Sequence, residues 1–387
     1  MQFFKHGLRI DFLRVAKPLV MTSLALVITS WALVAFKGLN FGIDFAGGTE
    51  VLLAFNEPVD VAELRANVAK TGLDQPDVVK YGLTDEGRYF IRSRTQSLLS
   101  DSQRTAVRNA YQSKYKDIEV YDETDETGEV VRIKFKDAKK IDELVAVVRG
   151  SGLPTARVTT QTEALNPFYM IRLPGVRERV TKSMTAQYGA RFKGIDRLES
   201  VGSAVGKQMR EQGALSVLYA LLGILLYISF RFDLRYSPGA VLALIHDVSI
   251  TIGIFSLTGM EFNLPIIAAL LAIVGYSLND TIVVYDRIRE SLQLGIGKDL
   301  VDNINISISD CLSRTVLTSV TTFLAVLSIY LFGGGIIENF AFAMLVGVVV
   351  GTYSSIYIAS PAVVVMDKFM AARAAAASTG RTATSRT

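Results

Sequence analysis

Six apolar runs, each near the ~20 residues needed to cross the hydrocarbon core of a bilayer, constrain this chain more than any other feature. One lies near the start, at 18–36 (PLVMTSLALVITSWALVAF), and the other five follow residue 213, at roughly 214–230, 238–257, 264–285, 315–332 and 340–366. A backbone surrounded by lipid has to satisfy its own hydrogen bonds, so each run is expected to be a helix. The sequence therefore predicts a polytopic α-helical membrane protein with six transmembrane helices. Half of the residues are hydrophobic and a fifth are charged, which leaves room for a sizeable polar region as well.

Composition excludes several functions. A net charge of +4 gives nucleic-acid binding no support. The single cysteine, Cys311, forbids an internal disulfide framework. The two histidines, His6 and His246, are too far apart in sequence for a metal cluster, so no metal or other cofactor is expected. No nucleophile constellation or phosphate-binding loop appears either, which argues against an enzyme.

Charge patterning orients the spans. Lys5, Arg9, Arg14 and Lys17 precede the first run, whose length and lack of a small-x-small cleavage site favour an uncleaved span over a signal peptide. Arg231 and Arg235 lie between spans two and three, Arg287, Arg289 and Lys298 between four and five, and Lys368, Arg373 and Arg381 after span six. The segments 258–263 and 333–339 carry no basic residue. Positive loops stay on the cytoplasmic side, so residues 1–17 and the tail 367–387 are expected inside and the large polar region outside. The tail is low in complexity and reads as disordered, with a weak helical extension of span six as the alternative.

The polar region, 37–212, contains a repeat with an offset of about 80 residues. Glu50–Phe55 aligns with Val130–Phe135, Val61–Leu64 with Ile141–Leu144, Gly72 with Gly152, and Tyr89–Arg92 with Tyr169–Arg172. Each copy, about 49–94 and about 129–174, reads as strand, helix, strand, strand, and Arg197–Val201 adds a closing strand. A large α+β domain of ferredoxin-like character, built on a duplicated unit, is thus expected between helices 1 and 2. Asp122–Glu129 (DETDETGE) reads as a solvated acidic loop between the copies.

Polar residues inside the spans are the candidate site. A carboxylate in a spanning helix costs roughly 2.5–3.5 kcal/mol on insertion scales, so it normally faces a protein interior or a wet cavity and has a partner. Asn279 and Asp280 lie in the final third of span four, with Asp280 about 24 Å past its start at 1.5 Å per residue. Arg314 is expected in the first turn or two of span five, at similar depth, and heads a polar stripe with Thr318, Thr321 and Ser328. His246 and Asp247 fall near mid-depth in span three. The functional reading is a proton or ion site. The plain alternatives are hydrogen-bonded helix contacts for the acids and a snorkelling anchor for Arg314.

The motifs GLNFGIDFAGGTEV (38–51), ALIHDV (243–248), VGYSLNDTIVVYDRIRE (274–290), SRTVLTS (313–319), YLFGG (330–334) and GTYSSIYIAS (351–360) resemble the SecF family, the smaller partner in the SecD/SecF accessory complex of the bacterial Sec translocon. That family belongs to the resistance-nodulation-division superfamily of proton-driven membrane machines. The resemblance implies an inner-membrane protein with a periplasmic domain. It would use the proton-motive force with a SecD-like partner to promote preprotein translocation alongside SecYEG and YidC. It also carries a role in proton conduction onto Asp280 and Arg314, with Asp247, Asn279 and Thr318 as further members of the path. Gly42, Asp44, Gly47 and Gly48 match a glycine-rich turn leaving span one, expected to be structural. Family members of this kind carry one strand-helix-strand-strand unit before a segment like Ser200–Gly206, whereas this chain carries two. Rival readings are a passive scaffold of the translocon and a subunit of a proton-driven small-molecule exporter.

Overall fold

The computed structural model describes residues 9–81, 87–95, 99, 101–123, 129–151, 153, 157–161, 168–173, 175–233, 235–333 and 335–384. The chain opens with α1 (Ala16–Phe36), β1 (Asn40–Phe41), the four-residue helix α2 (Ile43–Ala46), β2 (Gly48–Phe55), α3 (Val61–Ala69), β3 (Asp77–Lys80) and β4 (Arg88–Ser93). There follow α4 (Asp101–Lys114), β5 (Ile118–Glu123), β6 (Val130–Phe135), α5 (Ile141–Gly150), β7 (Arg157–Gln161), β8 (Phe168–Arg172), α6 (Val176–Tyr188) and β9 (Phe192–Val201). The remainder is α7 (Ser203–Arg231), α8 (Ser237–Thr258), β10 (Glu261–Phe262), α9 (Leu264–Leu294), α10 (Leu300–Phe332), α11 (Gly335–Ser354), a π-helical segment Ser355–Ala359, and α12 (Ser360–Thr384). Two compact units result, a helical one and a sheet one spanning Gly42–Arg210.

Within the sheet unit the repeat is legible in topology. The first sheet has the order β3-β4-β2-β9 and the second β5-β6-β8-β7. Strands β2, β3, β4 and β9 with helices α3 and α6 form a βαββαβ unit, the ferredoxin-like arrangement. In the second unit the helix and strand that close such a fold, α4 and β5, come first, so it is a permuted copy inserted between β4 and α6 of the first. The permutation needs little rearrangement, because β9 and β5 take the same place beside the central strands β2 and β6.

Each central strand sends alternate residues into its own core. Val51, Leu53 and Phe55 meet Leu64, Val68, Val180 and Met184. Val131, Ile133 and Phe135 meet Val107, Tyr111, Leu144 and Val148. Equivalence reaches single atoms: the Tyr89 hydroxyl bonds both N–H and C=O of Val59 at 2.7 Å. The Tyr169 hydroxyl does the same at Lys139, at 2.8 and 2.9 Å.

Some expectations need correction here. Asp122 and Glu123 belong to β5, and Asp122 pairs with Arg132 at 3.2 Å, so the acidic stretch begins in a strand; residues 124–128 and Gly152 lie outside the described residues. Helices α4 and α6 were missed by the repeat pattern, although Val176, Val180, Met184 and Tyr188 carry a four-residue apolar spacing.

The glycine-rich turn folds as one piece. Gly42 precedes α2 in an extended conformation, while Gly47 (φ +74°) and Gly48 (φ +135°) occupy backbone space that L side chains rarely enter. A Cβ at Gly48 would collide with the Ser93 carbonyl oxygen. Gly206, in the Ser200–Gly206 segment, packs so closely that its Cβ would lie 3.0 Å from Gly47 N. Gly48→Ala is therefore expected to destabilise the sheet domain by more than the about 1–3 kcal/mol that a strained φ/ψ alone costs. The check is the domain's thermal midpoint in the full-length protein, and an unchanged midpoint sinks the strain argument.

In the helical unit, six helical stretches among the described residues are long and apolar enough to cross a membrane: Leu13–Phe36, Ala204–Arg231, Ser237–Thr258, Leu264–Leu294, Leu300–Phe332 and Ile337–Arg373. Several helices outrun their apolar cores because polar end turns continue them. Gly259 and Gly295, at φ +72° and +62°, terminate α8 and α9, and Asp299 caps α10 by accepting from Asp302 N at 2.8 Å. Arg314 consequently lies well inside α10, not in its first turns. Helix α12 runs to Thr384 through the alanine-rich tail, so the alternative of a helix continuing span six replaces the expected disorder, in line with alanine's helix propensity.

Helix α1 is fastened at both levels. Its buried Ala16, Ser23 and Ser30 recur every seven residues and form a narrow seam of small side chains. Where it ends, Lys37 Nζ reaches Leu257 O at 2.7 Å, Ser256 Oγ reaches Gly38 O at 2.7 Å, and β1 pairs in parallel with β10.

Candidate functional site

Antiparallel packing of α9 and α10 sets the level of the charged residues. Ser291 Oγ donates to Asn303 Oδ1 at 2.7 Å, Cys311 Sγ approaches Val283 O at 3.9 Å, and Tyr276 Oη donates to Ser319 Oγ at 3.1 Å. In this register Asp280 is level with Arg314, as their depths in the sequence suggested. Their exposure differs. Asp280 is buried at 4 % exposure and its Oδ2 has no hydrogen-bond partner, while Arg314 is exposed on the outer side of α10. No ion pair joins them, though Arg314 lies within Coulomb range. Asn279 is exposed beside Asp280.

Thr318 does not aim at the acid. Its hydroxyl lies 3.0 Å from the carbonyls of Arg314 and Thr315, and Thr321 and Ser328 likewise bond carbonyls of the preceding turn. The polar stripe is thus satisfied within its own helix.

Asp247 has the opposite environment. It is fully buried, its Oδ2 accepts from Ser277 Oγ of α9 at 2.5 Å and from Ser354 Oγ of α11 at 2.8 Å, and its Oδ1 lies 2.8 Å from His246 Nδ1. Three helices therefore meet on one carboxylate. Next to it, the π-helical segment Ser355–Ala359 releases carbonyls that side chains collect: Tyr285 Oη donates to Ala359 O at 3.0 Å and Ser360 Oγ to Ser355 O at 2.9 Å. Such segments are rare and often mark functional positions.

Sequence reasoning singled out Asp247 but missed Ser277, Ser354 and Tyr353. A second small network, Tyr276–Ser319–Thr352, crosses α9, α10 and α11 and went unnoticed as well. The signal was the density of small hydroxyl residues inside the spans, above all GTYSSIYIAS. Helices approach closely there: a Cβ on Gly351 would sit 3.0 Å from Ser277 Cβ. The described residues contain no group of three or more His, Cys, Asp or Glu side chains placed to hold a metal ion.

Six membrane-length helices among the described residues, three of them meeting on one buried carboxylate, joined to a split α+β domain, define a polytopic membrane protein with an intramembrane polar core. Residues 180–369 match the family described as protein export membrane protein SecD/SecF, C-terminal, and residues 32–59 match the SecD/SecF GG motif. The chain is 37 % identical over 354 residues to the protein translocase subunit SecF of Desulfurispirillum indicum, covering 91 % of this chain and 90 % of that one. It is 31 % identical over 356 residues to the subunit of the same name from Escherichia coli O157:H7, covering 92 % and 87 %. The chain belongs to the SecF family of protein translocase subunits. It also resembles the crystal structure of SecDF, a translocon-associated membrane protein from Thermus thermophilus, with a TM-score of 0.66 and 30 % identity. That match covers 95 % of this chain, which spans 40 % of the larger one.

Proposed function

We propose that this chain is the SecF-like half of a proton-driven accessory unit that works with a SecD-like partner to promote preprotein translocation across the inner membrane, beside a SecYEG translocon and YidC. The observation that carries the reading is Asp280, a buried acid in a membrane helix whose Oδ2 has no hydrogen-bond partner, level with a lone arginine on the next helix. An acid already clasped by donors has little reason to change its charge; one without a partner can exchange its proton with water and then depends on Arg314 for compensation. One charge crossing 100 mV yields about 2.3 kcal/mol, enough to bias two helix arrangements of similar energy. Asn279 stands exposed beside Asp280 on the proposed path, whereas Thr318, bonded to its own helix, and the clasped Asp247 do not exchange the proton in this reading.

A SecD-like partner is supported from two sides. Arg314 and Asn279 are exposed on membrane helices, where a lipid-facing position is costly, so a protein surface is expected to cover them. The Thermus thermophilus relative is a single SecDF chain that extends well beyond the matched part. In this reading both termini and the basic loops are cytoplasmic, Gly42–Arg210 is periplasmic, and α1 and α7 carry the change to it. The test is preprotein export into inverted vesicles containing this chain and its SecD-like partner, with and without a protonophore. A gradient-dependent component is expected; equal export under both conditions leaves a passive scaffold.

A further inference from the structure

We propose that His246 is a second proton-holding residue of the helix bundle, taking up a proton at Nε2 while the Asp247 carboxylate stays charged and holds the imidazolium. Its place in energy coupling rests on the proton-driven reading above; its chemistry does not.

Two hydroxyls donate to Asp247 Oδ2, and its Oδ1 shares a proton with His246 Nδ1; the proposal places that proton on the ring. Ser277 Oγ has no other acceptor, Ser354 Oγ lies nearer to Asp247 at 2.8 Å than to Gly351 O at 3.1 Å, and His246 Nδ1 completes the set. The His246 ring, 5 % exposed, then donates from Nδ1, which leaves a bare lone pair on Nε2, and that atom is buried without a partner. Proton uptake at Nε2 breaks no existing hydrogen bond: water supplies the proton, the Nδ1–H···Oδ1 bond persists, and a buried negative charge becomes a neutral ion pair.

The elements packed against α8 among the described residues offer no other cation at this depth. Helix α8 packs against α1, α9, α11, the π-helical segment and α12. Helix α1 carries Lys17 alone, at its start. Helix α9 carries Tyr276, Asp280 and Tyr285, and its remaining charges begin at Asp286. Helix α11 holds Glu338 at its start and Tyr353, the π-helical segment holds Tyr357, and α12 has no charge before Asp367. Among these, only His246 can neutralise Asp247 at its own depth. A lone carboxylate in a membrane interior is costly, and pairing it lowers that cost.

Tyr353 gives the protonation a route outward. Its ring stacks on His246 with centroids 6.0 Å apart and planes at 27°, so an imidazolium gains the attraction of a cation for an aromatic face. Its hydroxyl meets Ser23 Oγ and Leu19 O of α1, each at 3.0 Å. The charge state of the pair thereby bears on the helix whose chain continues into the sheet domain.

The chain has two histidines, so a His6→Gln background leaves His246 as the single imidazole. The full chain, ¹⁵N-labelled in histidine and reconstituted with unlabelled SecD-like partner in lipid nanodiscs, is followed by ¹⁵N NMR from pH 9 to pH 5. One protonated and one bare nitrogen are expected at high pH, with the bare Nε2 signal converting to a protonated one on acidification. In Asp247→Asn the protonated-to-neutral ratio at a given pH is expected to fall by at least about tenfold, as loss of an adjacent charge in a weakly screened site demands. A ring that stays neutral to pH 5 in the native protein overturns the proposal, as does a titration that Asp247→Asn leaves unchanged. Failure of the proton-driven reading looks different: gradient-driven export then survives Asp280→Asn whatever His246 does.

Discussion

Asp280→Asn is expected to reduce export in the presence of a proton gradient to the level seen without one, while the protein still folds and assembles. Asparagine has the shape of aspartate but can neither take up nor release a proton in this range. Because Oδ2 of Asp280 bonds to nothing, the exchange breaks no hydrogen bond there. It also removes a charge whose insertion into a membrane helix costs roughly 2.5–3.5 kcal/mol, so the thermal midpoint should hold or rise. That combination separates a functional acid from a structural one, since removal of a partnered buried charge lowers stability. Arg314→Gln should reproduce the loss, and the double variant should be no worse than either single one, as expected for two groups acting as a unit. Gradient-driven export persisting in Asp280→Asn, with assembly intact, would leave the scaffold reading standing.

The sequence disclosed the helices and the level of the charged residues because both depend on linear spacing. Six runs of membrane length could be counted, and an acid about 24 Å along one helix had to meet whatever stood at that level on the antiparallel neighbour. The direction in which those side chains point depends on how the helices rotate against one another, and apolarity on every side of a membrane helix hides that rotation. Asp280 and Arg314 were therefore matched in depth, while the absence of an ion pair between them was not foreseen. Ser277 and Ser354 were invisible for a related reason. A serine in a span bonds its own preceding turn as readily as a neighbour, as Thr318 and Ser328 do here, and only tertiary packing decides. In the sheet domain the 80-residue offset revealed that two units exist. The insertion of one inside the other could not be read from it, because similarity is unchanged when a helix and a strand move from the end of a unit to its front.

Gly253→Leu is expected to cut gradient-driven export severely with Asp280, Arg314 and Asp247 all in place. At Gly253 α1 packs tightly on α8: a Cβ there would collide with the Ser30 side chain and lie 2.7 Å from Ser30 Cα. A backbone atom cannot turn aside as a side chain can, so any residue larger than glycine pushes α1 outward. The displacement reaches the neighbouring bond from Trp31 Nε1 to Ser249 Oγ, 3.1 Å, and the contact of Ser23 with Tyr353. In membranes helices associate through such close packing, without a hydrophobic force to restore it, so the loss falls on the α1–α8 interface and spares the α8–α9–α11 clasp on Asp247. If α1 transmits proton uptake to the sheet domain, the variant still titrates His246 yet no longer converts the gradient into export. Gly253→Ala should show a smaller loss, and Ser30→Gly in that background should recover part of it by deleting the atoms with which the new methyl collides. Export that tolerates Gly253→Leu would mean that α1 is a passive tether and that α7 alone carries the coupling.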